Sequence, residues 1–205
     1  MTVSTQKILL QDFKSKVKIG DVIGFYHTKW YYIFTRLIRL GMRAKIEHVA
    51  IITHILKINY DNEVHLGITE FVAFDFSKIR FWRGKIVNRV LIIDNKLLQN
   101  VILYYLENKN NTNIKHLYKV IEQIKIKKPF YSWYMALISP KNERILYLEK
   151  GLNNFTIQRA FICSQYIVTI LKNLNQLKDN DIKDLYLDPA EITKLSIFTC
   201  YEITI

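Results

Sequence analysis

The sequence is poor in glycine, proline and cysteine, with 6, 3 and 2 of these residues among 205. Half of the chain is hydrophobic and 13% is aromatic, which argues against disorder and against a loop-rich disulfide scaffold. The two cysteines, Cys163 and Cys200, belong to no CxxC pair and to no Cys/His cluster. We therefore expect no disulfide framework, no metal site and no cofactor, in a protein whose free thiols suit a reducing compartment.

Long hydrophobic runs are also missing. The most hydrophobic candidate is interrupted by Arg36, Arg39 and Arg43, so no stretch reaches the roughly 18 apolar residues that a membrane span needs. The first ten residues lack the charged start and apolar run of a secretory signal. The length suits one domain. We expect a soluble, cytoplasmic protein with a single domain over residues 1–205.

Acidic residues are outnumbered, since 18 Asp and Glu stand against 30 Lys and Arg and leave a net charge of +12. Such a charge favours anionic partners such as nucleic acid, anionic lipid or a cell-wall polymer. Lys, Ile and Asn all have AT-rich codons, however, so genome composition and selection for an anionic partner both stay open as explanations. The charge by itself therefore selects no function, and the oligomeric state is left open.

Most of the first half of the chain has the composition of β-strands. Apolar, β-branched or alternating segments predict strands over 17–26 (starting near Asp21), 47–56, 67–76 and 85–94. A turn signal at Asn62 predicts that the second and third of these form a hairpin. Between the first and second strands, apolar residues spaced by three and four over 30–42 predict a helix.

The second half has helical periodicity. Three apolar stripes predict helices, the first from Leu97, Leu98, Val101, Ile102 and Tyr105, the second from Ile114, Leu117, Val120, Ile121 and Ile124, and the third within 161–174. Pro129 is expected to end the second helix, and 178–184 to form a surface loop. The sequence thus predicts an α+β fold in which an antiparallel sheet from the N-terminal half packs against helices.

Cys163 stands where the third helical stripe begins, in the segment FICSQYIV. A free thiol has a pKa of about 8.5, and a helix N-terminus together with an imidazolium favours its thiolate form. This position makes Cys163 a candidate nucleophile. The alternative is a buried cysteine that acts as a small apolar residue, and the position alone does not decide between them.

His48 opens the second predicted strand, and Glu70 lies in the third. A hairpin of these two strands would place the Glu70 carboxylate beside the His48 imidazole and orient it. The alternatives are a structural histidine and an outward-facing charge. The other histidines considered, His54, His65 and His116, have no acidic or thiol neighbour in a recognisable pattern, so we interpret them as structural or surface residues.

The order of these signals resembles that of a known family, the permuted papain-like cysteine hydrolases of the YiiX/YebB type. These are relatives of bacterial NlpC-type cell-wall peptidases and of lecithin:retinol acyltransferase, and their histidine strand precedes the cysteine helix. The resemblance covers most of the chain and rests on Gly20-Asp21-Val22-Ile23, His48-Val49-Ala50-Ile51, Glu70, Val87 to Leu91, Lys128-Pro129-Phe130-Tyr131, Cys163-Ser164-Gln165-Tyr166-Ile167 and Asp188-Pro189-Ala190-Glu191-Ile192.

The resemblance implies a cysteine hydrolase or acyltransferase that acts on an amide or ester bond of a peptide-type or lipid-type substrate through a thioacyl-enzyme. Cys163 would be the nucleophile, His48 its general base and Glu70 the residue that orients His48. The backbone N–H of Cys163 would help to stabilise the oxyanion, with a second donor expected from Tyr26 or His27.

Two further interpretations stay open. The helix over 30–42 mixes aromatic and arginine residues, so it either lies on a membrane or lipid tail or faces the core with solvated arginines. The whole chain could instead be a catalytically silent member of the fold, serving as a structural or nucleic-acid-binding component of a virus particle with an AT-rich genome. We expect Cys200 to be a packed or surface thiol without a catalytic role.

Overall fold

A computed structural model describes residues 5–27, 46–58, 63–72, 85–127, 130–131, 160–161, 163–177 and 189–205. Within these ranges the strands are β1 (Gln6–Leu9), β2 (Val22–His27), β3 (His48–Ile58), β4 (Val64–Val72), β5 (Lys85–Ile93), β6 (Val101–Asn108), β7 (Phe130–Tyr131), β8 (Ala160–Phe161) and β9 (Phe198–Thr204). The helices are α1 (Leu10–Lys16), α2 (Asn95–Leu98), α3 (Ile114–Ile126), α4 (Cys163–Asn173) and α5 (Pro189–Ile192).

The fold is α+β and is built on a mixed seven-stranded sheet with the strand order β1-β9-β6-β2-β3-β4-β5. Neighbouring strands are antiparallel except β1 and β9, which pair in parallel. The expectation of an antiparallel sheet drawn from the N-terminal half was therefore wrong in two respects. The second half of the chain supplies β6 and β9. The first and last strands of the chain, β1 and β9, pair in parallel.

Several predicted elements are confirmed. Strand β2 starts directly after Asp21, β3 and β4 form an antiparallel pair, and β5 continues the sheet from β4. Helices α3 and α4 also lie where their apolar stripes indicated. The predicted helix over 30–42, the turn at Asn62, the segment 73–76, Lys128-Pro129 and the loop over 178–184 lie outside the described residues.

The predicted helix through Leu97 and Tyr105 was wrong. Helix α2 spans only Asn95–Leu98. Its N-cap is Asp94, whose carboxylate accepts a hydrogen bond of 2.7 Å from the Leu97 N–H, and strand β6 follows the helix. β6 lies between β9 and β2 and is largely buried on both faces. In such a strand nearly every position is apolar, so a helical spacing can be read from it by chance.

Two hydrophobic clusters cover the two faces of the sheet. Cluster one joins sheet residues to helices α3 and α4, and includes Ile51, Leu106, Ile124 and Ile170. Cluster two joins the opposite sheet face to α1. The two clusters bury most of the described hydrophobic side chains and hold the sheet between them.

The turn before β2 needs a glycine. Gly20 has a φ of 93°, a backbone conformation that favours glycine, and a Cβ at this position would meet Thr112 Oγ1 at 2.1 Å. The turn delivers the buried carboxyl group of Asp21 into the core, where it accepts hydrogen bonds from the sheet. The Gly-Asp pair thus has a structural reason independent of chemistry at the site.

Among the described residues, no helix is both long and apolar enough to cross a membrane.

Candidate active site

His48 is placed by the junction of β2 and β3. It is the first residue of β3 and stands opposite Phe25 in the antiparallel register. The Glu47 N–H donates to the Phe25 carbonyl oxygen at 2.9 Å, and the ring centres of Phe25 and His48 are 5.9 Å apart. The His48 side chain is 23% exposed, so the imidazole is mostly buried but partly open to solvent, while its backbone is held in the sheet.

Glu70 lies in the next strand and contacts His48 directly. The His48 Nε2–H donates to Glu70 Oε2 at 2.8 Å, and the carboxylate is only 3% exposed. Because Nε2 faces the carboxylate, Nδ1 is the ring nitrogen left for a second partner. The sequence predicted that this hairpin would bring the two side chains together, and the structure places them in contact.

Arg89 in β5 is a neighbour that the sequence analysis missed. Its Nε donates to Glu70 Oε1 at 2.8 Å and its Nη2 donates to Glu70 Oε2 at 3.0 Å. The register between β4 and β5 pairs Ile68 with Arg89 and Glu70 with Val87, which puts Arg89 and Glu70 on one sheet face. A single arginine in an otherwise β-branched segment was the signal that could have found it.

Cys163 is the first residue of α4 and is 3% exposed. The first N–H groups of a helix have no acceptor within the helix, so the backbone N–H of Cys163 is a potential donor to a ligand. Cys163 is close enough to His48 for a side-chain hydrogen bond and a charge interaction to act between them. The structure therefore brings Cys163, His48 and Glu70 together, with Arg89 as a fourth member.

The electrostatics of the site favour a charged histidine. Burial alone would lower the pKa of His48, but the charge and hydrogen bond of Cys163, together with those of Glu70, raise this pKa to about 10. For Glu70, burial would raise the pKa, yet the hydrogen bond and charge of His48 and the contacts with Arg89 lower it overall. At neutral pH the arrangement therefore favours an imidazolium against an ionised carboxylate.

The other predicted residues have separate surroundings. Tyr26 is half-buried in β2, and the side chain of His27 lies outside the described residues. His54 Nε2 is 2.7 Å from the Tyr118 hydroxyl, His65 Nε2 is 3.2 Å from Glu63 Oε2, and His116 is exposed on α3. These three histidines are not part of the group around Cys163.

The second cysteine has a structural environment. Cys200 lies in β9, is buried in cluster one, and has a pKa raised to about 11 by burial, which outweighs a hydrogen bond with Thr5. In the described part of the chain, no group of three or more His, Cys, Asp or Glu side chains is arranged to hold a metal ion. The chemistry available at this site is that of a thiol, an imidazole and a carboxylate.

No family model matches the sequence, and no curated protein matches it at a significant level. The function of the chain is therefore inferred from the geometry around Cys163.

Proposed function

We propose that this chain is a cysteine hydrolase or acyltransferase with a permuted papain-like fold, which acts on an amide or ester bond through a thioacyl-enzyme. The observation that carries the proposal is the contact chain Cys163–His48–Glu70, in which the thiol stands at a helix start and the imidazole is oriented by a buried carboxylate. An activated nucleophile, its base and a third group that orients the base are the components of nucleophilic catalysis.

In the proposed reaction, Cys163 and His48 form a thiolate–imidazolium pair, in which the Cys163 proton has already passed to His48 Nδ1, and the thiolate attacks the carbonyl carbon of the substrate. The backbone N–H of Cys163 donates to the oxyanion of the tetrahedral intermediate. When the intermediate collapses, the His48 imidazolium gives its proton to the leaving amine or alcohol and a thioester remains on Cys163. Water or another acceptor, deprotonated by His48, then releases the acyl group and restores the thiol.

The substrate class follows from the resemblance of the sequence to permuted papain-like hydrolases. The histidine strand β3 precedes the cysteine helix α4 in the chain, as in that family, and α5 is short and begins at Pro189. We propose a cell-wall peptide or a lipid-type amide or ester as substrate and the cytoplasm as the location. The free thiols of Cys163 and Cys200 are consistent with a reducing compartment.

The test is the pH dependence of iodoacetamide alkylation, measured at each cysteine by mass spectrometry, with Cys200 as the internal reference. We expect Cys163 to alkylate much faster than Cys200 below pH 7. His48→Ala should move the onset of fast alkylation toward about pH 8.5, where an unassisted thiol ionises, because the imidazolium no longer stabilises the thiolate. His54→Ala is the matched control, since His54 is an exposed histidine on the same strand whose ring contacts the Tyr118 hydroxyl.

Equal alkylation of the two cysteines at every pH would sink the proposal and favour a catalytically silent protein. A fast Cys163 whose pH profile is unchanged in His48→Ala would contradict the role of the histidine alone. If Cys163 reacts as expected, Cys163→Ala and the wild-type protein should next be compared on peptide amides and lipid esters. Only the wild-type protein should accumulate a thioester.

A further inference from the structure

We propose that Arg89 is a positioning residue that acts on the Cys163–His48 pair through Glu70. This inference rests on the proposed function and adds a residue that neither the motif pattern nor the Cys163–His48–Glu70 group contains. Arg89 touches neither Cys163 nor a reacting atom in this proposal, and its effect passes through the carboxylate.

The contacts of Arg89 fix the orientation of Glu70. Arg89 contacts both oxygens of Glu70, at 2.8 Å and 3.0 Å, and Oε2 also accepts the 2.8 Å hydrogen bond from His48. A planar guanidinium that contacts a carboxylate at two points fixes the plane of the carboxylate, which one ammonium group cannot do. The orientation of Glu70, and with it that of the His48 ring, is therefore held from the side of β5.

The charge of Arg89 also helps to keep Glu70 ionised. Glu70 is 3% exposed, and burial favours the neutral form of a carboxyl group. The groups that oppose this by lowering the pKa of Glu70 are His48, from β3, and Arg89, from β5, whereas Cys163, from α4, reaches Glu70 only through His48. A neutral Glu70 no longer favours the imidazolium. Arg89 thus extends to lower pH the range in which Glu70 supports the Cys163–His48 pair.

The surroundings of Arg89 fit this task. Its side chain is 50% exposed, and its guanidinium carbon lies 5.9 Å from the centre of the Phe25 ring, the same ring that contacts His48. Phe25 therefore supports both partners of Glu70 from one side. Because half of the Arg89 side chain is exposed to water, removing its charge is expected to shift the pKa of Glu70 by an amount at the low end of the range for a neighbouring cation.

The experiment compares Arg89→Met and Arg89→Lys with the wild-type protein in the pH profile of Cys163 alkylation. In the wild-type protein, alkylation of Cys163 should become slow below the pH at which Glu70 takes up a proton. We expect Arg89→Met to raise this lower pH limit by about one unit, because Glu70 then takes up its proton at higher pH. Arg89→Lys keeps the charge and should recover part of this shift. Lys115→Met, which removes the same charge from an exposed position of α3, should leave the profile unchanged.

A double variant separates positioning from a general structural effect. In a Glu70→Gln background, Arg89→Met should cause no further shift, because the carboxylate through which Arg89 acts is gone. An equal shift in both backgrounds, or no shift in Arg89→Met itself, would overturn the inference.

The carboxyl ¹³C signal of Glu70 keeps this outcome separate from that of the proposed function. Its titration midpoint should rise in Arg89→Met, and it should do so even if Cys163 proves unreactive, in which case the proposed function fails and the link between Arg89 and Glu70 stands. A midpoint that does not move in Arg89→Met would contradict the link, whatever Cys163 does.

Discussion

At the scale of single residues, Asp21 shows how a buried carboxyl group is accommodated. Oδ2 accepts hydrogen bonds from the Lys18 N–H and the Tyr105 hydroxyl, both at 2.8 Å, and Oδ1 accepts from the Asn108 N–H at 2.9 Å. The Tyr105 hydroxyl is also 3.1 Å from the Lys16 carbonyl oxygen. If Asp21 is protonated, it can donate to the Tyr105 oxygen while the Tyr105 proton turns to Lys16, so both protonation states are satisfied.

This network predicts a pH-dependent contribution to stability. Burial raises the pKa of Asp21 to about 6, against the three hydrogen bonds that lower it, whereas an unfolded Asp has a pKa of about 3.9. Between these values the folded state binds more protons than the unfolded state. The contribution of Asp21 to the free energy of unfolding is therefore greatest below pH 4 and declines as the pH rises through about 6.

Asp21→Asn provides the comparison for this prediction. The side-chain amide of the variant has an accepting oxygen at one end only. Its NH₂ group must therefore face the backbone N–H of Lys18 or Asn108, which lowers the free energy of unfolding by about 1 to 3 kcal/mol. The wild-type protein should thus be the more stable of the two near pH 4, and this advantage should shrink by pH 7. Urea unfolding at several pH values measures it, and a difference that stays constant with pH would contradict the prediction.

The residues of the candidate site differ in how far the sequence could predict them. His48 and Glu70 stand in two strands that read clearly as a hairpin, and the structure places them in contact. Arg89 escaped prediction because an arginine on a strand is ordinarily a solvated charge. Its partner could be identified only after the register between β4 and β5 was known.

At the scale of secondary structure, the errors come from elements that are short or buried on both faces. β6 was mistaken for a helix because its apolar residues are nearly continuous, and β9 was not among the predicted strands. β1 was not predicted at all, since four residues carry too little periodicity and its pairing with β9 joins distant parts of the chain. Helix α3 was predicted because it buries one stripe only, whereas α4 was predicted from its apolar stripe although its first six residues are all buried.

Helix α3 offers a matched test of that one-sided burial. Ile124 is 4% exposed in cluster one, whereas Ile126, two positions on, is 77% exposed. We expect Ile124→Ala to lower the free energy of unfolding by about 2 to 5 kcal/mol, because it leaves a cavity between α3 and the sheet. Ile126→Ala should change it by no more than about 0.5 kcal/mol. Urea denaturation of both variants gives the comparison, and equal losses would show that α3 packs differently.

At the scale of the whole molecule, the site draws on both hydrophobic clusters. Cys163 belongs to cluster one, while Phe25, which contacts the His48 ring, belongs to cluster two. The sheet between the clusters carries His48, Glu70 and Arg89 on three consecutive strands. Placing the thiol beside the imidazole therefore depends on packing on both sheet faces, which no local pattern in the sequence specifies.

The net charge of +12 is also a property of the whole molecule. Exposed or half-exposed lysines occur on separate elements, for example Lys14 on α1, Lys96 on α2, Lys115 on α3 and Lys172 on α4. Binding to a polyanion through such dispersed charges is nonspecific and falls steeply as salt displaces the protein from the phosphates. The lysines of the described residues therefore give no preference for one anionic partner.

We expect the protein to bind a labelled DNA duplex at about 50 mM salt. At physiological salt, the Kd of this complex should be about 10⁻⁶ M or weaker. Fluorescence anisotropy across a salt series measures this, and Cys163→Ala should give the same curve because the Cys163 side chain is buried and is not offered to the DNA. Markedly tighter binding at physiological salt would instead favour the nucleic-acid-binding alternative. In that case the group around Cys163 would be better interpreted as a structural remnant than as a working site.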